Sequence, residues 1–151
     1  METSVVFGNA RRWLQAEGLV VLLAASALYH REGFGWGWFA LGFMAPDLAM
    51  LAYLHGPRFG AAVYNAAHSY VAPVVLLLVS AVAAVDSGSR QVTAQAALIW
   101  FAHIGFCRAT GFGLKYAHDF DVTHLGPVPF NLPRFLGGLL GARSRIRPPR
   151  R

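Results

Sequence analysis

The chain has 151 residues, of which 56% are hydrophobic and 13% are charged, and its formal net charge is +6. Soluble domains carry about 25% charged residues, so this composition argues against an ordinary soluble protein and favours lipid as the surrounding solvent. The single cysteine, Cys107, excludes an internal disulfide and a zinc site made of several cysteines.

Four apolar stretches predict four membrane-spanning helices, at residues 13–29, 34–54, 59–85 and 92–114. The predicted fold class is all-α, a four-transmembrane-helix bundle over residues 13–116 that follows a short N-terminal segment, residues 1–12. The first stretch also has features of a secretory signal peptide, with Ala25-Ser26-Ala27 as the small-residue cleavage site. We favour a retained first helix because small residues are common throughout the chain.

Aromatic residues and a proline mark the second span. Trp36 and Trp38 at its start suit the membrane interface, where an amphipathic ring is partly hydrated. Pro46 removes one helical hydrogen bond and predicts a kink inside the span, with Asp47 at the break.

Residues 117–151 are expected to form a cytoplasmic polar loop and a Pro-rich, basic tail. Pro127, Pro129 and Pro133 prevent a regular helix there. The tail contains six arginines: Arg134, Arg143, Arg145, Arg147, Arg150 and Arg151. Such a tail can bind nucleic acid or anionic lipid headgroups. Beside so apolar a chain it indicates a segment held on the cytoplasmic side, and no nucleic-acid partner is assigned.

The distribution of basic residues predicts the topology. The positions assigned to the inner side are Arg11, Arg12, Arg58, Lys115 and the arginine tail, whereas the outer loops hold Arg31 and Arg90. Positive charge concentrates on the cytoplasmic side of membrane proteins. We therefore expect an integral protein of a bacterial inner membrane, with both termini in the cytoplasm.

The polar residues of the four spans fall at similar predicted depths. With a rise of about 1.5 Å per residue, Asp47 and Asn65 lie roughly 10 Å from the inner boundary and His68 and His103 roughly 15 Å. Arg108 and Glu17 lie nearer the rim. Ionisable side chains inside a membrane are costly and mark functional sites. The alternative is that these groups only hydrogen-bond to one another and hold the bundle together.

Acid–base chemistry on a lipophilic substrate, such as a cyclisation or an isomerisation, would suit this polar layer. Carboxylates and imidazoles that are shielded from water can exchange protons near neutral pH. Arg108 could keep Asp47 ionised or bind an anionic group of the substrate. The candidate catalytic residues are Asp47, His68, His103, Arg108 and Glu17. The candidate substrate-binding residues are Asn65, Tyr64, Trp100, Lys115 and His124.

Two other functions remain open. Intramembrane Asp and His residues are typical of proton pathways. The first alternative is therefore a small transporter or proton-relay subunit. Because it has only four predicted helices, such a protein would have to act as a homo-oligomer. The second alternative is a structural membrane protein. The expected partners are membrane lipid and a lipophilic small molecule.

A metal site is a further hypothesis for the same residues. Its nitrogen and oxygen ligands would come from His68, His103, Asp47, His118, Asp119, Asp121 and His124. No pair has a strong ligand spacing, so we assign no metal ligand and leave the cofactor open. Cys107 follows His103 by four residues on one helical face, which suits either an activated thiolate or an inert core cysteine.

An ordered series of motif fragments resembles a known family. The fragments are Gln15-Ala16-Glu17-Gly18, Ala45-Pro46-Asp47-Leu48, Tyr64-Asn65-x-x-His68, Ala102-His103-Ile104-Gly105, Gly111-Phe112-Gly113-Leu114-Lys115-Tyr116 and Thr123-His124-Leu125-Gly126. Together they resemble the small membrane proteins of domain of unknown function 4260. The resemblance implies a membrane protein with a retained first helix and does not specify an activity. In that family's pattern an aspartate precedes the arginine, where this chain has Cys107, which implies that Arg108 is freer to pair with Asp47.

Overall fold

A computed structural model describes residues 8–82, 86–117 and 119–128. Within those ranges the chain forms five α-helices, one 3-10 helix and three short β-strands. In chain order they are α1 (Asn9–Arg31), α2 (Trp36–Phe43), the 3-10 helix Ala45–His55, α3 (Pro57–Ala67), α4 (Val71–Val82), α5 (Ser87–Thr110), β1 (Lys115–Tyr116), β2 (Asp119–Thr123) and β3 (Gly126–Pro127). The predominantly helical fold agrees with the all-α prediction.

The long helices α1 and α5 pack directly against each other through two glycines. A Cβ atom added at Gly105 would lie 2.6 Å from the backbone nitrogen of Leu22, and one added at Gly18 would lie 2.8 Å from the backbone nitrogen of Ala109. Neither distance leaves room for a side chain. Small residues allow helix backbones to approach closely, so this glycine pair fixes the position of α5, which carries His103 and Cys107.

The predicted helix 34–54 is divided into two segments at Met44. Helix α2 ends at Phe43, and Pro46 occupies the first turn of the 3-10 helix that follows. Proline has no N–H and is accepted in a first turn, where that donor has no partner inside the helix. The division therefore occurs at the predicted proline break, and it places Asp47 in the first turn of the new helix.

The predicted helix 59–85 is also interrupted. Helices α3 and α4 are bent by 50° at a break that includes His68. Interrupting the helix after Ala67 frees its carbonyl, which accepts a hydrogen bond of 2.6 Å from the indole N–H of Trp100. Residues 83–85, at the end of the predicted helix, lie outside the described residues.

The predicted bounds of the last helix, 92–114, are wrong at both ends. Helix α5 begins at Ser87 because Asp86 caps it, accepting a hydrogen bond of 2.9 Å from the Ser89 N–H. It ends at Thr110 because Gly111 has a φ of 93°, a left-handed conformation typical of helix ends.

The polar segment after Tyr116, which we expected to be an irregular loop, contains a small sheet. Its order is β1-β2-β3 and both pairings are antiparallel, with Thr123 opposite Gly126 at the second turn. Strands of two residues are too short to show a periodic sequence pattern. The basic tail, His118 and residues 1–7 lie outside the described residues.

The described helices carry extensive exposed apolar surface. The stretch Trp36–His55, made of α2 and the 3-10 helix, is long and apolar enough to cross a membrane, and α3 with α4 makes a second if the bent pair is one span. Only 6% of the first stretch is buried, unlike the core helix of a soluble protein. The structure therefore favours membrane association, whereas the four-span arrangement stays a prediction.

Candidate functional site

Four side chains from three helical segments meet inside the protein, and we call them the Asp–His–His–Cys cluster: Asp47, His68, His103 and Cys107. Nε2 of His68 lies 3.2 Å from Oδ1 of Asp47 and 3.1 Å from Nε2 of His103. Nε2 of His103 lies 3.6 Å from the same carboxylate oxygen and 3.5 Å from Sγ of Cys107. The cluster is therefore a continuous set of polar contacts.

Local breaks in the helices position two members of the cluster. Asp47 projects from the first turn of the 3-10 helix, and His68 is the residue that terminates α3. His103 and Cys107 lie one turn apart on α5 and so share a face. The interruptions at Pro46 and His68 thus bring two side chains against an uninterrupted third helix.

Aromatic rings restrain both histidines. The Tyr64 ring stacks on His68 with centroids 3.8 Å apart and planes 12° apart. The Phe43 ring meets His103 edge-on at 5.3 Å. Ring packing of this kind limits side-chain rotation, so the facing nitrogens are held close to one another.

The hydrogen bonds assign the proton on His68. Its Nδ1 lies 3.0 Å from the Tyr64 carbonyl oxygen, which can only accept. Nδ1 therefore carries a proton, and in the neutral ring Nε2 presents a lone pair to Asp47 and His103. A carboxylate oxygen and that lone pair repel each other unless a proton or another cation lies between them. The contact at 3.2 Å therefore requires a proton or another cation between the two atoms.

The members of the cluster differ in their access to solvent. The side chains of His68 and His103 are 3% and 2% exposed, whereas that of Asp47 is 37% exposed. Asp47 is thus the member that a bound molecule can reach. The two histidines lie behind it and can exchange a proton with it.

A cavity of about 610 Å³ is lined by residues that adjoin members of the cluster in sequence, whereas none of the four cluster side chains lines it. Its walls are almost entirely apolar and include Trp38, Leu41, Pro46, Ala67, Ile99 and Trp100. Pro46 and Ala67 are adjacent in sequence to Asp47 and His68, and Ile99 is one helical turn before His103. Cavities of this size and character suit small lipophilic ligands.

Of the candidate substrate-binding residues, Trp100 lines the cavity, whereas Tyr64 stacks on His68 in the cluster and does not line the cavity. Trp100 also donates its indole N–H to Ala67, so its orientation is fixed by the helix break.

Asn65 and Lys115 lie apart from the cavity and bind each other. The Asn65 side chain makes hydrogen bonds to both the backbone N–H and the carbonyl of Lys115. The Lys115 side chain is buried, with Nζ 5.2 Å from the centre of the Tyr64 ring. This pair therefore joins the small sheet to α3 behind the stacked Tyr64 and His68 rings.

Of the two roles considered for Arg108, the pairing with Asp47 is wrong. Asp47 pairs with the two histidines. The Arg108 guanidinium lies over the Tyr70 ring at 5.0 Å and 3.4 Å from Nε2 of His124. Arg108 and His103 are five residues apart on one helix, so their side chains project in different directions around its axis. Similar depth therefore does not imply contact.

His124 contacts the end of α5 rather than the cluster. Its Nδ1 accepts a hydrogen bond of 2.8 Å from the Leu114 N–H, so the neutral ring carries its proton on Nε2, towards Arg108. Burial, and then the nearby Arg108 charge, lower the pKa of His124 below its ordinary value of 6.5. This histidine is therefore held neutral and acts in the packing of the hairpin.

Glu17 is exposed on α1. Among the described residues it makes no hydrogen bond or ion pair with the cluster. The structure therefore does not bring it to the other candidate catalytic residues.

Cys107 was not among our candidate site residues, yet its sulfur lies against His103. The signal in the sequence was its spacing of four residues from His103, which places both on one helical face.

The comparisons with known proteins agree with the motif resemblance. The family model described as Domain of unknown function (DUF4260) matches residues 11–128. No curated protein and no solved structure matches the chain. The match includes all four members of the cluster and most of the chain. The protein therefore belongs to the DUF4260 family.

Proposed function

We propose that the protein is an intramembrane enzyme that performs acid–base chemistry on a lipophilic substrate, of the isomerisation or cyclisation type. The observation that carries this proposal is that residues adjoining the Asp–His–His–Cys cluster line an apolar cavity of about 610 Å³. The cavity would hold the hydrocarbon part of the substrate. Asp47, whose side chain is partly exposed, would take a proton from one carbon, exchange it with solvent and deliver a proton to another carbon, so the reaction needs no co-reactant.

In this proposal the histidines control the proton on Asp47. His68 is fixed by its Nδ1–H bond to the Tyr64 carbonyl, and its Nε2 faces the carboxylate. His103 contacts both groups from the buried side. A general acid or base must lie within hydrogen-bond reach of its partner, and these three groups meet that condition.

A membrane setting would supply the substrate. Large apolar side chains are exposed along α1, the 3-10 helix and α4, among them Leu23, Leu51, Leu54, Leu78 and Val82. Exposed apolar surface of this extent marks a membrane or partner contact. In the four-span arrangement with both termini inside, such faces contact lipid, and a lipophilic molecule enters the cavity from the bilayer.

A proton-relay or transport subunit is the second candidate, because the cluster is a continuous set of proton-exchanging groups. One end of the cluster, at His103 and Cys107, is buried inside the protein, which argues against this role. Cys107 is only 8% exposed, and Nδ1 of His103 is buried with no hydrogen-bond partner among the described residues. A relay needs an exit at both ends, so the enzyme is the better-supported function.

The test is solvent deuterium incorporation. Detergent-purified protein is incubated with a lipid extract in D₂O, and lipid masses are compared between wild type and Asp47→Asn. We expect deuterium in a lipid species with wild type and at least about a hundredfold less with the variant, because general acid–base catalysis contributes roughly 10²–10⁴ in rate. Asp86→Asn is the matched control, since asparagine also caps helices. Equal labelling by wild type and Asp47→Asn would overturn the proposal.

A further inference from the structure

We infer that His68, His103 and Cys107 form a binding site for one transition-metal ion of the zinc class, with Asp47 at its open side. This inference concerns the same cluster as the proposed function and adds the cation that the cluster holds. Binding of the metal is measured without any substrate, so the two proposals succeed or fail separately.

The first argument is the spacing of the ligand atoms. Nε2 of His68, Nε2 of His103 and Sγ of Cys107 all lie within 4.8 Å of one another. Zn–N bonds of about 2.0–2.1 Å and Zn–S bonds of about 2.3 Å place neighbouring tetrahedral ligands about 3.3 Å (N to N) and about 3.5 Å (N to S) apart. The observed separations are 3.1 Å between the histidine nitrogens and 3.5 Å from His103 to the sulfur. Two of the three separations therefore match a first coordination shell, and the third, from His68 to the sulfur, is at most 4.8 Å.

The second argument is the direction of the lone pairs. His68 donates Nδ1–H to the Tyr64 carbonyl, which leaves its Nε2 lone pair directed at the other ligand atoms. Metal-binding histidines commonly donate their second nitrogen in this way, which fixes the tautomer and raises the basicity of the ligand. A metal ion at this point could also take the place of the proton between His68 and Asp47. Nδ1 of His103 has no such acceptor among the described residues, so affinity would depend more on His68.

The donor set selects the class of metal. Two imidazoles and a thiolate suit zinc and related borderline ions, whereas magnesium and calcium prefer oxygen ligands. A thiolate and the Asp47 carboxylate would together balance the charge of a divalent ion in this buried setting. Three protein ligands leave one coordination position open, as in catalytic zinc sites.

Asp47 occupies the side of that open position. Its Oδ1 lies 3.2 Å and 3.6 Å from the two histidine nitrogens, and its side chain is partly exposed. It can bind the metal as a fourth ligand or accept a proton from a molecule that does. In the second arrangement the metal would polarise the substrate, and Asp47 would remain the base of the proposed reaction.

Cobalt titration provides the test, because a thiolate bound to Co²⁺ gives a charge-transfer absorption that oxygen and nitrogen ligands do not. The protein is purified in detergent without a histidine tag, and Co²⁺ is added. The chain has one cysteine, so a thiolate band can come only from Cys107. We expect one Co²⁺ per chain, a thiolate charge-transfer band, and loss of that band when Zn²⁺ is added.

Variants then assign the ligands. Cys107→Ser should remove the band, and His68→Gln and His103→Gln should each weaken Co²⁺ binding at least tenfold. Cys107→Asp should remove the band but retain one Co²⁺ per chain, because a carboxylate also binds metals of this class. His55→Gln is the matched control, since His55 is exposed at the end of the 3-10 helix, and it should leave both measurements unchanged.

Absence of a charge-transfer band in folded wild-type protein would overturn the metal site. So would a band that survives both histidine variants, since the thiol would then bind Co²⁺ alone. Deuterium labelling of lipid by protein free of metal would also reject the metal's catalytic role while leaving the proposed function intact. A band without any labelling would support the metal site and count against the enzyme.

Discussion

The side-chain amide of Asn65 binds the backbone of Lys115 in both directions, across 50 residues of sequence. Its Nδ2 donates to the Lys115 carbonyl at 2.9 Å, and its Oδ1 accepts from the Lys115 N–H at 2.7 Å. This is the pattern by which one strand pairs with another. Asn65 therefore anchors β1 and the hairpin to α3, one turn from His68.

Replacing Asn65 with leucine should lower the free energy of unfolding by about 2 kcal/mol, because it removes both partners that the amide supplies to partly buried backbone groups. Thermal unfolding in detergent measures the loss, and the amide of Lys115 should exchange its hydrogen faster. Asn9→Leu serves as the control, since Asn9 is exposed at the start of α1. Equal melting temperatures for the two variants would show that the amide contacts contribute nothing to stability.

The close contact between α1 and α5 gives a second prediction. In Gly105→Ala the added Cβ would lie 2.6 Å from the Leu22 backbone nitrogen and 2.7 Å from the Gly18 carbonyl oxygen. Backbone atoms cannot move aside cheaply, so the free energy of unfolding should fall by about 1–3 kcal/mol, the usual effect of overpacking.

The matched control for Gly105→Ala is Gly37→Ala. Gly37 lies in α2, and a Cβ added there would have no atom within 4 Å. Alanine is also the better helix former, so this variant should match or exceed the wild-type melting temperature. If Gly105→Ala and Gly37→Ala both have the wild-type melting temperature, α1 and α5 are farther apart than the structure indicates.

The environment of His124 predicts a dependence of stability on pH. Burial and the Arg108 charge lower the pKa of His124 in the folded protein from 6.5. Between that lowered pKa and 6.5 the unfolded chain binds more protons than the folded one, so stability declines as the pH falls through this window and is retained above it.

Unfolding measured from pH 7.5 down to pH 4.5 should therefore show a steeper loss of stability for wild type than for His124→Gln. The variant removes the group that must be kept neutral, so part of the acid sensitivity should disappear. His55→Gln is the control and should retain the wild-type slope. Parallel curves of stability against pH for wild type and His124→Gln would contradict the assignment of this acid sensitivity to His124.

The depth of the polar residues along the helices could be predicted from the sequence. The alternating direction of successive apolar stretches brings Asp47, His68 and His103 towards one level, and the structure places them in contact. The break at Pro46 was also predictable, because the missing N–H acts locally. These inferences depend on rise per residue and backbone chemistry, which are properties of short segments.

The direction in which a side chain projects towards a residue of another helix could not be predicted in the same way. A pairing of Arg108 with Asp47 was considered from their depth and from the family resemblance, yet Arg108 faces Tyr70 and His124. By contrast, the spacing of Cys107 and His103 within one helix did predict their shared face, although Cys107 was not among the candidate site residues.

We did not predict the interruption at His68, although Pro73 cannot donate a hydrogen bond to the Ser69 carbonyl and so indicates a break nearby. The carbonyl of Ala67 that the break frees accepts a hydrogen bond from Trp100 on another helix.

The sequence by itself therefore determined a largely apolar, helical chain with polar residues at one level, because composition and helical rise are local properties. The tertiary structure decided which of those residues touch. The Gly18 and Gly105 contact sets the rotation and position of α5, and the two helix breaks turn Asp47 and His68 towards it. Those contacts join residues far apart in sequence, so they depend on packing that no single segment encodes.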